Sequence, residues 1–194
     1  MTRLRIGMFG AASDKVSRKK KTLAYKTGQA IAANGHLLIY GAGSTGCMGS
    51  CARGYLSKNP ALKPLASTTE FIETIEKPLP GANTMVCKSL ADREELYYVS
   101  DILLMLPGGA GTMREFWSFI TEKRLQQWEG EIWVVDEGWI CDLLKKQLRE
   151  LEIQHCAKNI TRDVRFIKYD DMVDELEERG HKDFEGTAED LGLY

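Results

Sequence analysis

Two features of the chain could do chemistry. The first is Leu106–Phe116, LPGGAGTMREF, which leaves the most apolar run, Ile102-Leu103-Leu104-Met105, through Gly108, Gly109 and Gly111 and then reaches Thr112 and Glu115. Glycine removes Cβ atoms and opens positive φ, so backbone N–H groups can approach a ligand closely. A helix beginning there adds unsatisfied N–H groups and the positive end of its dipole, a cradle for phosphate that needs no basic side chain. Thr112 adds a hydroxyl. The second feature is Glu115 itself. Thr112-Met113-Arg114-Glu115 has the T-x-x-E spacing of a helix capping box, in which Thr112 caps and Glu115 reaches back to the Thr112 N–H. A lone carboxylate beside a phosphate seat could equally stabilise positive charge on a sugar or deprotonate water. The spacing alone leaves both readings open.

Two further glycine segments follow strand-like runs: Gly10-Ala11-Ala12-Ser13, and Gly41–Gly49. GAGSTG fits G-x-G-x-x-G, a weak pattern when taken alone. A dinucleotide site also asks for an acid about 20 residues on, to hold a ribose hydroxyl. Positions 61–67 read ALKPLAS and supply none. No Gly-Lys-Ser/Thr follows, so the P-loop pattern fails too. Gly43 and Thr45 stand as secondary phosphate candidates.

The elements that must position these residues alternate. Strands are expected at 4–9, 36–40, 62–66, 84–87, 102–106, 132–135 and 164–167. Helices are expected at 15–34, from the glycines to about 57, at 90–99, 112–128, 139–151 and 171–179, while 69–82 reads as a loop with local structure. Short, continuously apolar strands between amphipathic segments predict a single α/β domain, a doubly wound, Rossmann-like parallel sheet with helices on both faces. It spans 1–179 and is followed by a polar, acidic tail at 180–194. In such sheets ligands lie beyond the carboxyl ends of the strands, where all three glycine segments fall.

Bulk composition narrows the function. The chain has 194 residues, 43% hydrophobic and 28% charged, with net charge −2. No general attraction to nucleic acid or to anionic membrane is expected. The cluster Arg18-Lys19-Lys20-Lys21 reads as a solvated helix face or a local phosphate patch. No apolar run approaches the ~20 residues that span a bilayer, and the start does not read as a signal peptide. The five cysteines are scattered, as expected of reduced thiols in a cytoplasmic protein. Cys47 and Cys51 share a helix spacing but have no His or second Cys pair nearby, so packing is expected there and no metal. His36 reads as a satisfied structural histidine, and Phe116, Trp117 and Phe119 as helix packing.

PGGAGTMRE (Pro107–Glu115), with GAGSTGCMG upstream, resembles the Lonely Guy family of cytokinin-activating nucleoside 5′-monophosphate phosphoribohydrolases. The family pattern Pro-Gly-Gly-x-Gly-Thr-x-x-Glu matches at Pro107, Gly108, Gly109, Gly111, Thr112 and Glu115, and the resemblance runs from the first strand to at least Trp139. It implies the doubly wound fold, a homodimer, and cleavage of the N-glycosidic bond of an AMP-like nucleotide to free base and ribose 5-phosphate. By matching position, Glu115 would be the catalytic carboxylate. The family's Met-x-x-Arg-Lys motif falls on LADRE, Leu90–Glu94, making Arg93 its orienting arginine. The chain departs from the family at Leu90, at Glu94 in place of Lys, at Ala42 between the glycines, and at Arg114, where an acid is common. The Lys-to-Glu change removes a positive charge near the site and motivates an alternative, a non-catalytic nucleotide or phospho-cofactor binder. The family's old decarboxylase label suggests pyridoxal phosphate, but no lysine stands out as a Schiff-base candidate, and no cofactor is expected.

Overall fold

The computed structural model describes residues 3–180, so all of the expected tail but Gly180 lies outside the described residues. Seven strands form one sheet: β1 (Arg5–Phe9), β2 (Leu37–Tyr40), β3 (Leu65–Thr69), β4 (Asn83–Cys87), β5 (Ile102–Met105), β6 (Glu131–Val135) and β7 (Val164–Ile167). The helices are α1 (Arg18–Ala33), α2 (Gly46–Leu56), α3 (Glu70–Ile75), α4 (Leu90–Glu95), α5 (Ala110–Arg124), α6 (Trp139–Ile153) and α7 (Tyr169–Arg179). Every strand pairing is parallel, in the order β4-β3-β2-β1-β5-β6-β7. This is the expected Rossmann-like α/β domain.

Alternation along the strands builds two cores. Ile6, Met8, Leu38, Tyr40, Ile102 and Leu104 face the layer of α1, α2 and α7, with Ile31, Cys51, Tyr55 and Met172. Phe9, Leu37, Ile39, Leu103 and Met105 face the layer of α5 and α6, with Phe116, Phe119 and Leu148. Successive strand residues point to opposite faces, so a strand covered on both sides must be apolar throughout. In the first layer α1 and α2 touch backbone to backbone: a Cβ on Gly28 would lie 1.9 Å from the Cys51 carbonyl oxygen, and one on Gly54 1.9 Å from that of Tyr25.

Two sequence expectations are corrected, and the local structure expected within 69–82 is given a form. The third strand begins at Leu65 rather than Leu62, and its polar end, Ser67-Thr68-Thr69, is buried. The segment 69–82 opens with α3, for which Thr69 is a true cap, its side chain accepting from the Ile72 amide. The expected helix 90–99 divides into α4 and a 3-10 turn, Leu96–Val99. Among the described residues no helix is long and apolar enough to cross a membrane.

The chain winds outward from β1 to β4, then returns to lay β5 on the other side of β1. The direction of winding reverses between β1 and β5, and a crevice opens there at the carboxyl ends of the strands.

Candidate functional site

The crevice is a groove of about 400 Å³ lined by Gly10–Ser13 after β1, by Pro107–Gly109, Gly111, Thr112 and Glu115 after β5, and by Met48, Lys20 and Arg93. Two of the three glycine segments thus flank the reversal point directly.

The glycines after β5 differ in purpose. None of the three has positive φ, so of the two freedoms glycine offers only the missing Cβ is used here. Gly108 is required by packing, since a Cβ there would lie 2.1 Å from the Thr112 hydroxyl oxygen. At Gly109 and Gly111 an added Cβ would meet nothing within 4 Å. Neither backbone strain nor crowding explains glycine at those two positions. What their bare backbone leaves is room, on the groove side, at the first turn of α5. Gly109 is the N-cap of that helix and carries no side-chain cap bond.

That start removes the capping reading in geometric terms. The helix begins at Ala110, so Thr112 is its third residue and not its cap, and the capping box does not form. Thr112 is buried against Gly108, and Glu115 sits a turn further in, 6% exposed. Its Oε1 lies 3.8 Å from Nη1 of Arg93, an ion pair too long for a hydrogen bond. Burial pushes the Glu115 carboxyl up to about 7; the charges of Arg93 and Arg114 pull it down but are outweighed.

Arg93 is held from behind. Its Nε donates to the Ser67 carbonyl at 3.0 Å and its Nη2 to the Gly41 carbonyl at 3.1 Å, while the Ser67 hydroxyl donates to the Arg93 carbonyl. A Cβ on Gly41 would stand 1.9 Å from Nη2, so the first glycine of GAGSTG is there to admit this guanidinium. The helix that carries Arg93 starts at a complete capping box, Ser89 with Asp92. Arg93 is therefore fixed by main-chain oxygens, with one nitrogen left to face Glu115.

The secondary phosphate candidates are not open. Oε1 of Glu76 accepts from the Ser44 and Thr45 amides at 2.7 and 2.6 Å and from the Thr45 hydroxyl at 2.7 Å. Gly43 faces the same side chain, and neither Gly43 nor Thr45 lines the groove. This loop has the anion-seating geometry expected of it, but the anion is the chain's own. Nothing in the sequence announced Glu76, which lies 31 residues beyond Thr45 in the segment read as a loop.

Two departures from the Lonely Guy pattern meet in space. Arg114 Nη1 lies 2.8 Å from Oε1 of Glu94. The acid at 94 and the base at 114 thus form one ion pair between α4 and α5. His36 is structural, as expected: Nδ1 accepts from the Leu4 amide and Nε2 is 2.9 Å from the Leu176 carbonyl. No group of three His, Cys, Asp or Glu able to hold a metal occurs among the described residues.

Fold and groove together define a Rossmann-like parallel-sheet protein with a crevice at the winding reversal. Comparisons with known proteins agree with that class. Residues 3–70 match the family model described as the SLOG cluster4 family, over β1 to β3 and both upstream glycine loops. The molybdenum cofactor carrier protein of Chlamydomonas reinhardtii superposes with a TM-score of 0.66 at 15% identity, over 91% of this chain and 98% of that one. The molybdenum cofactor binding protein of Rippkaea orientalis gives 0.66 and 15% over 92% and 98%. DNA processing protein A of Helicobacter pylori gives 0.57 and 13% over 93% and 83%. At these identities the likeness is one of fold. No curated protein matches the chain.

Proposed function

We propose that the groove hydrolyses the N-glycosidic bond of an AMP-like nucleoside 5′-monophosphate. The observation that carries this reading is the buried Glu115 carboxylate facing a backbone-anchored Arg93, one turn below a glycine rim whose missing Cβ atoms leave open space. The 5′-phosphate sits on the amides of Gly109–Thr112, at the positive end of α5. That places the ribose over Glu115. As the C1′–N bond breaks, its electron pair leaves with the base and positive charge grows on the sugar, where the carboxylate stabilises it. Water adds to C1′ and gives its proton to Glu115, and the base nitrogen gains a proton from solvent. The carboxylate must be ionised for both tasks, so turnover rises with pH through about 7. The resemblance at PGGAGTMRE supports the same chemistry.

A second reading is binding without turnover. The reversed Glu94–Arg114 pair and the cofactor-carrying neighbours of the same fold favour it. Incubation with nucleoside monophosphates and an assay for free base separate the two. Release of base, abolished in Glu115→Gln, supports hydrolysis. Saturable binding with no base from any monophosphate overturns it in favour of the carrier.

The working unit is a homodimer. Support comes from the edge strand β4, where Met85 and Val86 are about half exposed, and from Phe71 and Ile75 of α3, each 72% exposed. An apolar edge strand of this kind suits pairing with a second copy.

A further inference from the structure

The groove has a neighbour with which it shares a side chain. A second cavity, of about 640 Å³, lies between α1, the start of α6 and the start of α7, lined by Arg18, Lys19, Lys20, Lys26, Glu137 and Tyr169 among others. Lys20 lines both cavities. The basic run on α1 is unevenly engaged. Lys19 is paired with Glu137 at 3.2 Å and Lys21 with Asp14 at 3.0 Å. Lys20, half-buried between them, has no ion pair among the described residues, and nor do Arg18 and Lys26. Of the three lysines in the run 19–21, the one with no ion pair among the described residues is the one that lines both cavities. Lys20 is thus shared by a groove that holds Glu115, Arg93, Gly109 and Gly111 and by a larger chamber with two more cations that have no ion pair among the described residues.

We infer that the groove takes a nucleoside 5′-diphosphate, free or esterified, whose first phosphate lies on the glycine rim and whose second is held by Lys20, with any group beyond it in the larger chamber. The inference rests on the nucleotide reading above and extends it to the substrate class. A monophosphate uses only the groove and gives Lys20 no anion; a second phosphoryl group supplies one. Charge-assisted contacts to phosphate are among the stronger hydrogen bonds, and an ammonium on a flexible stem suits a point contact of this kind.

Titration calorimetry with AMP and with ADP tests this, in the Glu115→Gln background so that the ligands stay intact. ADP is expected to bind about tenfold tighter than AMP, the factor that ~1.4 kcal/mol of added contact confers. Adding Lys20→Ala is expected to bring the two ligands within about twofold of each other, while Lys21→Ala, which removes the same charge one residue away, keeps the preference. Equal affinities in the Lys20-containing protein overturn the inference and leave the monophosphate reading standing. Loss of the preference in Lys21→Ala as much as in Lys20→Ala also overturns it, because the effect is then general electrostatics. Failure of both nucleotides to bind sinks this inference and the nucleotide reading together.

Discussion

At the scale of residues, Glu115 is set by what surrounds it rather than by what it touches. It is desolvated and faces a cation across 3.8 Å without a hydrogen bond. A carboxyl whose folded value is raised to about 7 holds its proton more tightly folded than unfolded. Its contribution to stability is complete below the ordinary value near 4.5 and is lost as pH rises toward 7. Denaturant unfolding across pH 4–8 should show that decline, and Glu115→Gln, which cannot ionise, should flatten it; an unchanged slope in the variant would place the titration elsewhere. The reversed pair makes a second prediction. Glu94→Lys sets two like charges together beside a buried carboxyl, and Arg114→Glu does the same with opposite sign. Each alone is expected to destabilise by about 0.5–2 kcal/mol, and the double reversal to regain most of that loss, as a thermal-melt mutant cycle would read. The sequence displayed both departures separately, but no spacing rule joins residues 94 and 114; only the placement of α4 beside α5 does.

At the scale of elements, the glycine turn before α5 separates stability from binding. Gly111 is the second residue of the helix, at negative φ and with open space where a Cβ would go. Gly111→Ala should therefore stabilise the fold by up to ~1 kcal/mol, through helix propensity and a less flexible unfolded chain. The same methyl enters the space over the rim amides, so AMP affinity should fall. A higher Tm with unaltered affinity would mean that the phosphate sits elsewhere. Elements that obey one rule were legible: β1, β2, β5 and β6 are buried on both faces and read as apolar runs. β3 was misplaced because its buried half is Ser67-Thr68-Thr69, polar residues retained where Ser67 anchors Arg93. The start of α5 was misread for a related reason. Thr112 and Glu115 have capping chemistry, but Gly109 takes the cap and releases both side chains to the groove. In both places local preference yields to the demands of the groove, which is where such rules are expected to fail.

At the scale of the whole molecule, the order of winding makes the site. Three glycine loops share one rim in the sequence reading, yet only those after β1 and β5 border the reversal. The loop after β2 is one strand away, closed by Glu76, and serves instead to hold Arg93 through Gly41. Glu76→Ala would strand the amides of Ser44 and Thr45 and should destabilise by about 1–3 kcal/mol, measurable in urea. The free edge at β4 carries the assembly prediction. Val86→Lys, a charge on the exposed strand, should shift the protein from dimer to monomer in sedimentation with its fold intact; a monomeric parent chain would refute the dimer. A last consequence follows from the bare contact between α1 and α2. Carbonyl oxygens stand where side chains would otherwise cushion the crossing, so the separation of the two helices is set by backbone atoms. The cationic tip of α1 lies some twelve ångströms along the axis from that contact (eight residues at about 1.5 Å each). One methyl at Gly28 would lever that tip aside and detune the groove from a distance.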